Sequence, residues 1–215
     1  MDIDYLIEEE EGTIYHELGH VFGYCLSNKS TATTLGEISK IEIGISQNFV
    51  YPKTRLYHVE NAMVEREIIT QNTANIDRTL AWFIEVISGC TFQVVFENQF
   101  FKNCYGPEKW KIGNIDFCNM SVIRNISSFT WTFDDIFNLQ SDYEKFLKDN
   151  QIIDKIKFLV DEIIINLKNT SNYQLEIIDN DLEKIIHKTN SIITQKILDE
   201  YLQLIEKYKQ IVASH

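Results

Sequence analysis

Proline and paired cysteines are both scarce in this sequence. Only two prolines, Pro52 and Pro107, occur among 215 residues, and since proline interrupts helices, this scarcity favours a largely helical protein. The four cysteines include no C-x-x-C pair, which argues against a zinc knuckle and against a disulfide framework. We therefore expect reduced thiols that pack as small apolar side chains, with metal ligation or nucleophilic catalysis by one of them as the alternative.

Positive charge is scarce as well, with 20 Lys and Arg against 32 Asp and Glu and a formal net charge of -12. No basic cluster stands out that could neutralise phosphates, so we expect no nucleic-acid partner. Residues 1–12 carry six carboxylates and no basic residue, unlike the start of a signal peptide. No run approaches the roughly 20 consecutive apolar residues of a membrane span, because Glu85 and Asp161-Glu162 break the densest ones. We expect a cytoplasmic protein without membrane insertion.

The segment HELGH, from His16 to His20, places two histidines four residues apart in an H-E-x-x-H pattern. Residues at this spacing share one face of a helix, so both imidazoles can reach one tetrahedral ion. The apolar residues around them follow the helical period: Ile14, Leu18, Val21, Phe22, Cys25 and Leu26. The pattern predicts a buried helix that carries half of a zinc hydrolase site. The alternative is a core helix whose histidines are only hydrogen-bonded.

Glu17 is the predicted general base of that site. It follows the first histidine directly, where a carboxylate can take a proton from a metal-activated water as that water attacks a polarised carbonyl. Zn²⁺ is the expected cofactor. Substitution of Glu17 is expected to spare metal binding and to abolish the chemistry.

Strand patterns are confined to one region of the chain. Residues 36–45 alternate isoleucine with polar residues, and residues 57–59 are their candidate partner. By analogy with zinc hydrolases, the first of these segments would lie beside the site as an edge strand and bind an extended peptide. Helical periodicity marks residues 76–101, with an interruption at Ser88-Gly89, and after a loop at residues 104–114 a helix is predicted to run to about Ile126.

The remainder, from Asp134 to Ile211, has helical periodicity with breaks near Asn150, at residues 169–172 and around Asn190, which predicts three or four packed helices. Its last apolar stripe predicts core packing, with a homo-oligomeric contact as the alternative: Ile197, Leu198, Tyr201, Leu204, Ile205 and Tyr208. The predicted fold class is mainly α with a small β-sheet (α+β). We expect a zincin-like core at residues 1–135 and helices at residues 136–215 that pack on it in one continuous domain.

A hydrolytic zinc site also needs a third protein ligand and an open fourth position. Leu26 stands where the extended metzincin pattern has its third histidine, so that interpretation fails. The remaining histidines lack supporting spacing: His58, His187 and His215. A carboxylate is therefore favoured, and Asn61-x-x-x-Glu65 has the spacing that thermolysin-like enzymes use, although Glu65 lies in a highly charged segment.

In their order these motifs resemble the peptidase domain of the FtsH-type ATP-dependent zinc proteases. That family has H-E-x-G-H, a strand, a glycine-bearing helical segment and a G-x-x-x-D segment that opens a helix. The similar segments here are His16 to His20, Ile38 to Ile45, Ile87-Ser88-Gly89 and Gly113-Asn114-Ile115-Asp116. The resemblance covers roughly residues 10–126 and implies zinc ligands His16, His20 and Asp116, with Glu17 as base. Asp142 is a second candidate for the aspartate, and an N-cap is the other reason for aspartate at a helix start.

The resemblance implies a zinc metallopeptidase that hydrolyses bonds in a peptide or protein substrate. Leu18 and Phe92-Gln93 depart from the family pattern. We expect no ATPase module or membrane anchor before the domain, and therefore expect flexible or small peptides as substrates, or a partner that delivers them. One alternative is a catalytically inactive zinc-protease-like fold that serves as a binding or regulatory module. Another is a helical interaction protein in which the histidine pair is coincidental.

Overall fold

The computed structural model describes residues 3–30, 35–44, 55–58, 75–170 and 174–213. This part of the chain contains eight helices and three short strands. In chain order they are α1 (Ile3–Ser30), β1 (Ile38–Gly44), β2 (Arg55–His58), α2 (Ile76–Glu97), α3 (Phe101–Cys104), α4 (Asn114–Ile126), α5 (Phe133–Asp149), α6 (Ile152–Lys168), β3 (Gln174–Ile177), α7 (Asp179–Ile192) and α8 (Gln195–Ala213). The prediction of a mainly helical protein with a small sheet is confirmed.

Helices α1 and α2 form the centre of the protein and share its most extensive helix–helix contact. Helix α1 begins well before the apolar run at Ile14 that revealed it. Helix α2 begins after Asn75, whose side chain accepts a hydrogen bond from the Arg78 backbone N–H at 3.1 Å, and ends at Asn98 in the left-handed conformation. The predicted interruption at Ser88-Gly89 is wrong, because α2 runs through it as one helix.

By length and composition, α2 is also apolar enough to cross a membrane, the one such helix among the described residues. Its most apolar window has a mean hydropathy of 1.5, and 89% of that window is buried inside the protein. A buried core helix meets the same criteria as a membrane span. The packing of α2 against its neighbours therefore accounts for its apolar composition.

Glycines allow α1 and α2 to approach closely. A Cβ atom at Gly19 would lie 2.6 Å from the Ser88 carbonyl oxygen and 2.9 Å from Phe92, and one at Gly23 would lie 3.1 Å from the Glu85 Cα. These distances are shorter than van der Waals contact allows, and the atoms at risk include backbone that cannot rotate away. The close crossing therefore requires glycine at these two positions of α1.

The sheet has the strand order β2-β1-β3, with both pairs antiparallel. Pairing of β1 with β2 agrees with the sequence prediction, and Ile41 and Ile43 of β1 are buried against the helices. Strand β3 was not predicted. It pairs with the other side of β1, for example Ile43 with Leu175, so β1 is a central strand and not the edge strand expected from the sequence. Its backbone is therefore unavailable to an added peptide strand, whereas β2 and β3 lie at the ends of this strand order.

The C-terminal region contributes four helices, α5 to α8, that pack around the central pair. Tyr201 of α8 is buried and hydrogen-bonds with Ser27 of α1 at 3.1 Å, and Tyr143 of α5 is within 3.0 Å of the Ser88 hydroxyl of α2. The last apolar stripe lies mostly inside the protein: Ile197, Tyr201, Leu204, Ile205 and Tyr208 are buried, and Leu198 is partly buried. These side chains are thus used in the core of this chain, as predicted.

We predict that Gly19→Ala destabilises the protein by about 1–3 kcal/mol, because the new methyl group overpacks the crossing of α1 and α2. Alanine by itself favours a helix by up to about 1 kcal/mol, so the packing cost must exceed that gain. The measurement is the free energy of unfolding in urea. Gly12→Ala on the same helix is the matched control, since its methyl group would meet chiefly the mobile end of the Glu97 side chain. Stabilisation by both substitutions would contradict the close crossing.

Candidate metal centre

The structure brings His16, His20 and Asp116 together. The two histidines lie one turn apart on α1, and their Nε2 atoms are 3.2 Å apart. Asp116 lies in the first turn of α4, with Oδ2 at 3.2 Å from His16 Nε2 and Oδ1 at 3.6 Å from His20 Nε2. One ring nitrogen from each histidine and one carboxylate oxygen of Asp116 form one of the groups in this part of the chain that could hold a metal ion. This is the ligand set implied by the resemblance.

The separations of these atoms fit a tetrahedral ion. Ligand atoms about 2.1 Å from zinc lie roughly 3.4 Å from one another. The two ring nitrogens are 3.2 Å apart, and each has an Asp116 oxygen near it, Oδ2 at 3.2 Å from His16 and Oδ1 at 3.6 Å from His20. Gly89 of α2 faces the same point. A Cβ atom there would lie 2.7 Å from His16 Nε2 and closer still to His20 Nε2, so glycine keeps the space in front of both ligand nitrogens clear. Two imidazoles and one carboxylate are also a donor set of catalytic zinc sites.

Asp116 does not cap its helix. The N-cap of α4 is Gly113, which makes no side-chain capping bond, and the Asp116 carboxylate faces the histidines and the Cys90 thiol instead. A Cβ atom at Gly113 would collide with the Cys90 sulfur, so glycine also allows the start of α4 to lie against α2. The N-cap alternative for Asp116 is therefore wrong in this fold.

The histidines and Asp116 shift one another's pKa. Burial alone would lower the pKa of His16 and of His20, but neighbouring acceptors outweigh it. Asp116 and Cys104 raise the pKa of His16 well above its usual value, and Asp116 and Glu85 raise that of His20 to about 9. Burial would conversely raise the pKa of Asp116, yet the two histidines lower it overall. A metal ion that binds here must therefore displace protons, and its affinity will fall as the pH is lowered.

Glu85 is a site residue that the sequence analysis missed. His20 Nδ1 lies 3.1 Å from its carboxylate Oε1 and 3.0 Å from its backbone oxygen. A histidine that ligates metal through Nε2 needs such an acceptor for its Nδ1 hydrogen, which fixes the ring orientation. The sequence signal was present, because Glu85 interrupts a long apolar helical stretch.

Glu17 lies on α1 beside the ligands and is 7% exposed. Its carboxylate has no hydrogen bond or ion pair with any residue that the structure describes, unlike Glu85. Burial raises the pKa of Glu17, and the neighbouring histidines oppose that shift. A buried carboxylate that is not engaged by another side chain is suited to accept a proton from a water.

Two thiols complete the cluster. The sequence predicts metal ligation by one cysteine only as an alternative, and it does not indicate this pair. Cys90 of α2 and Cys104 at the end of α3 are buried and free, with their sulfurs 2.7 Å apart. Cys104 Sγ lies 4.0 Å from His16 Nδ1 and 3.2 Å from the Gln93 side-chain oxygen. Hydrogen bonding with the Cys90 thiol lowers the pKa of Cys104 to about 6, whereas burial raises that of Cys90. The spacing of these cysteines, 14 residues, carries no recognisable motif.

The other candidate ligands lie elsewhere. Asp142 is within α5 and not at a helix start, and it accepts hydrogen bonds from Lys207 at 2.6 Å and Tyr208 at 2.7 Å. It is therefore not part of the cluster. His187 is exposed on α7. The backbone of His58 belongs to β2, and Glu65 and His215 lie outside the described residues.

Comparison with known proteins finds no family model, no curated protein and no solved structure that matches this chain. The functional argument therefore rests on the sequence motif and on the geometry of the side chains.

We predict that Glu85→Gln weakens zinc binding by about 10- to 100-fold, because the His20 ring loses the carboxylate that orients it while keeping the backbone acceptor. The measurement is a competition titration against a fluorescent zinc chelator. Glu97→Gln on the same helix is the control, since Glu97 is bonded to Gln93 and not to a histidine. Equal zinc affinity in wild type and Glu85→Gln would contradict this role.

A second prediction concerns Asp142. Partial burial would raise its pKa, but hydrogen bonds from Lys207 and Tyr208 lower it overall. Its stabilising contribution is therefore present above the unfolded-state pKa of about 3.9 and is lost as the pH falls through the lower folded-state value. Asp142→Asn should lower the free energy of unfolding by up to about 1 kcal/mol at neutral pH, since the pair is partly exposed.

Urea denaturation at neutral pH and at about pH 3 tests this dependence, because the difference between wild type and Asp142→Asn should shrink in acid. Asp149→Asn, at an exposed position of the same helix, is the control and should change stability little at either pH. A difference that is the same at both pH values would count against the assignment.

Proposed function

We propose that this protein is a zinc metallopeptidase-like enzyme that hydrolyses peptide bonds, with His16, His20 and Asp116 as the metal ligands and Glu17 as the general base. The convergence of Asp116 on the histidine pair carries the proposal. A core helix with two coincidental histidines would not require a carboxylate from a helix about 100 residues away, at separations that suit a tetrahedral ion. The likeness to the FtsH-type peptidase domain is part of this proposal.

Zinc held by these three residues would supply the Lewis acidity that polarises a peptide carbonyl and lowers the pKa of water. Glu17 would take the proton of the attacking water and deliver it to the departing amine. Its pKa, raised by burial, brings it closer to the working pH, where an acid–base group is most effective. Glu85 would hold the His20 ring in place, and Gly89 would leave room in front of the ligands.

A substrate with an extended backbone could pair with β2 or β3, the outer strands of the sheet as the structure describes it. Such pairing gives affinity through main-chain hydrogen bonds and leaves sequence preference to side-chain pockets. This modifies the expectation from the sequence, which assigned that role to the segment that forms the central strand β1.

One observation favours a second candidate function, a zinc-binding module without turnover. The four residues His16, Glu17, His20 and Asp116 are 3%, 7%, 7% and 8% exposed, respectively. A peptide must reach the Glu17 carboxylate and the metal at the same time, and the burial of these four side chains limits the access of a bulky substrate. Metal binding with no hydrolysis would then serve to lock α1, α2 and α4 together, as structural zinc does.

We predict about one zinc ion per chain in wild type, and its loss in His20→Ala and Asp116→Ala, because each substitution removes one of three ligands. Elemental analysis of untagged protein measures the ratio. His187→Ala and Asp142→Asn are the matched controls and should retain the metal, since neither side chain is in the cluster. No zinc in wild type, even after zinc is added, would overturn both candidate functions.

Activity separates the two candidates. Glu17→Gln should keep the zinc and lower cleavage of a flexible peptide pool by at least about 100-fold, the scale of a lost general base. Mass spectrometry of the pool measures cleavage, and Glu11→Gln on the same helix is the control. If wild type binds zinc and cleaves nothing, the module without turnover stands; if Glu17→Gln cleaves as fast as wild type, the proposed role of Glu17 is wrong.

A further inference from the structure

We propose that the chain has a second metal position, formed by His16, Cys90 and Cys104, which takes a thiophilic ion. The ligand atoms of these three buried residues all lie within 4.8 Å of one another. The position shares His16 with the proposed zinc site, but one of its sulfurs, that of Cys104, faces the other ring nitrogen. It does not depend on peptide hydrolysis, and it assigns a role to two thiols that the proposed enzyme does not use.

The orientation of His16 is the first step of the argument. Its Nε2 atom is directed to Asp116 and His20, at 3.2 Å from each. Its Nδ1 atom is directed to Cys104 Sγ, at 4.0 Å. The ring thus has Asp116 and His20 on one nitrogen and the Cys104 sulfur on the other, while Cys90 Sγ lies 2.7 Å from Cys104 Sγ and 3.9 Å from Asp116 Oδ2. His20 differs, because its Nδ1 meets only the oxygens of Glu85.

The donor chemistry is the second step. Two thiolates and an imidazole are the protein ligands of one known class of catalytic zinc site, and thiolates favour Zn²⁺, Cd²⁺ and Cu⁺ over hard cations. Both cysteines are free and at most 7% exposed. The Cys90 sulfur lies directly against Gly113, where any side chain would collide with it. Gly113 also precedes the helix that carries Asp116, so the same backbone segment lies beside both the Cys90 sulfur and Asp116.

The separations are the third step. A nitrogen and a sulfur on one tetrahedral ion lie roughly 3.6 Å apart, and two sulfurs roughly 3.8 Å apart. The nitrogen–sulfur distance of 4.0 Å needs a small adjustment. The sulfurs, at 2.7 Å, must separate by about 1 Å, and Cys104 can supply this movement because it ends the four-residue helix α3. A disulfide, at about 2.05 Å, would need the opposite movement.

Cadmium alone is the probe, added to the reduced, chelator-treated full chain. Binding should produce the ultraviolet sulfur-to-cadmium charge-transfer band. Cys90→Ser and Cys104→Ser should each weaken cadmium binding, read from this band, by at least about 100-fold, more than the loss of an outer-shell partner costs. Cys25→Ser is the matched control, since Cys25 is a buried free cysteine of α1 outside the cluster, and it should leave the band unchanged.

His20→Ala distinguishes this proposal from the proposed function. It removes a ligand of the zinc site but none of the sulfur position, so the band should persist while peptide cleavage is lost. A band that disappears in His20→Ala would mean that the sulfurs belong to the first site, and the second position would be wrong. Failure of peptide cleavage in wild type, with the band present, would overturn only the enzyme.

X-ray absorption at the cadmium edge can be measured on cadmium-loaded wild-type protein. This test needs no substitution, so it remains informative even if a serine variant fails to fold. It should show two sulfur neighbours and at least one nitrogen neighbour. Oxygen and nitrogen neighbours alone would overturn the proposal. So would the absence of the band in reduced wild type, or a thiol count showing that Cys90 and Cys104 have formed a disulfide under reducing conditions.

Discussion

The close crossing of α1 and α2 is the constraint on which the rest of the structure depends. Gly19 and Gly23 remove the side chains of α1 at the contact, and Gly89 removes the one on α2 that would meet the histidines. Backbones this close bring residues of α2 to the histidine face of α1, so that Glu85 reaches His20 and Cys90 reaches the region between His16 and Asp116. Larger residues at these three positions would separate the helices and disperse the cluster.

The second constraint is electrostatic. Three carboxylates and two histidines are buried at one place, and burial of charge costs several kcal/mol per group unless the groups are paired. Asp116 is paired with both histidines and Glu85 with His20, whereas Glu17 is not paired with any described residue. Apolar residues of similar size would pack as well at lower cost. Stability therefore does not explain the cluster, which supports the proposal that it binds a metal ion.

The sequence predicted those elements whose signal is local. The helical period and the H-E-x-x-H spacing located the central part of α1, and alternating isoleucines located β1, because both patterns arise within one element. The polar start of α1 lacks an apolar stripe, so its first turns were missed. Strand β3 has four residues and pairs with a strand more than 100 residues away in the chain. A local sequence pattern cannot predict such pairing.

The candidate site shows the same limit. Spacing alone could not choose between Asp116, Asp142 and Glu65, because the third ligand comes from another helix, and the family resemblance supplied that choice. Glu85 and the cysteine pair interact with the histidines only through the α1–α2 crossing and the loop after α3. The ring of His16 lies between Asp116 and His20 on one side and Cys104 on the other. Because an ion or a hydrogen bond at Nδ1 alters the donor strength of Nε2, occupation of the proposed sulfur position would change the zinc affinity of the proposed first site, and the reverse.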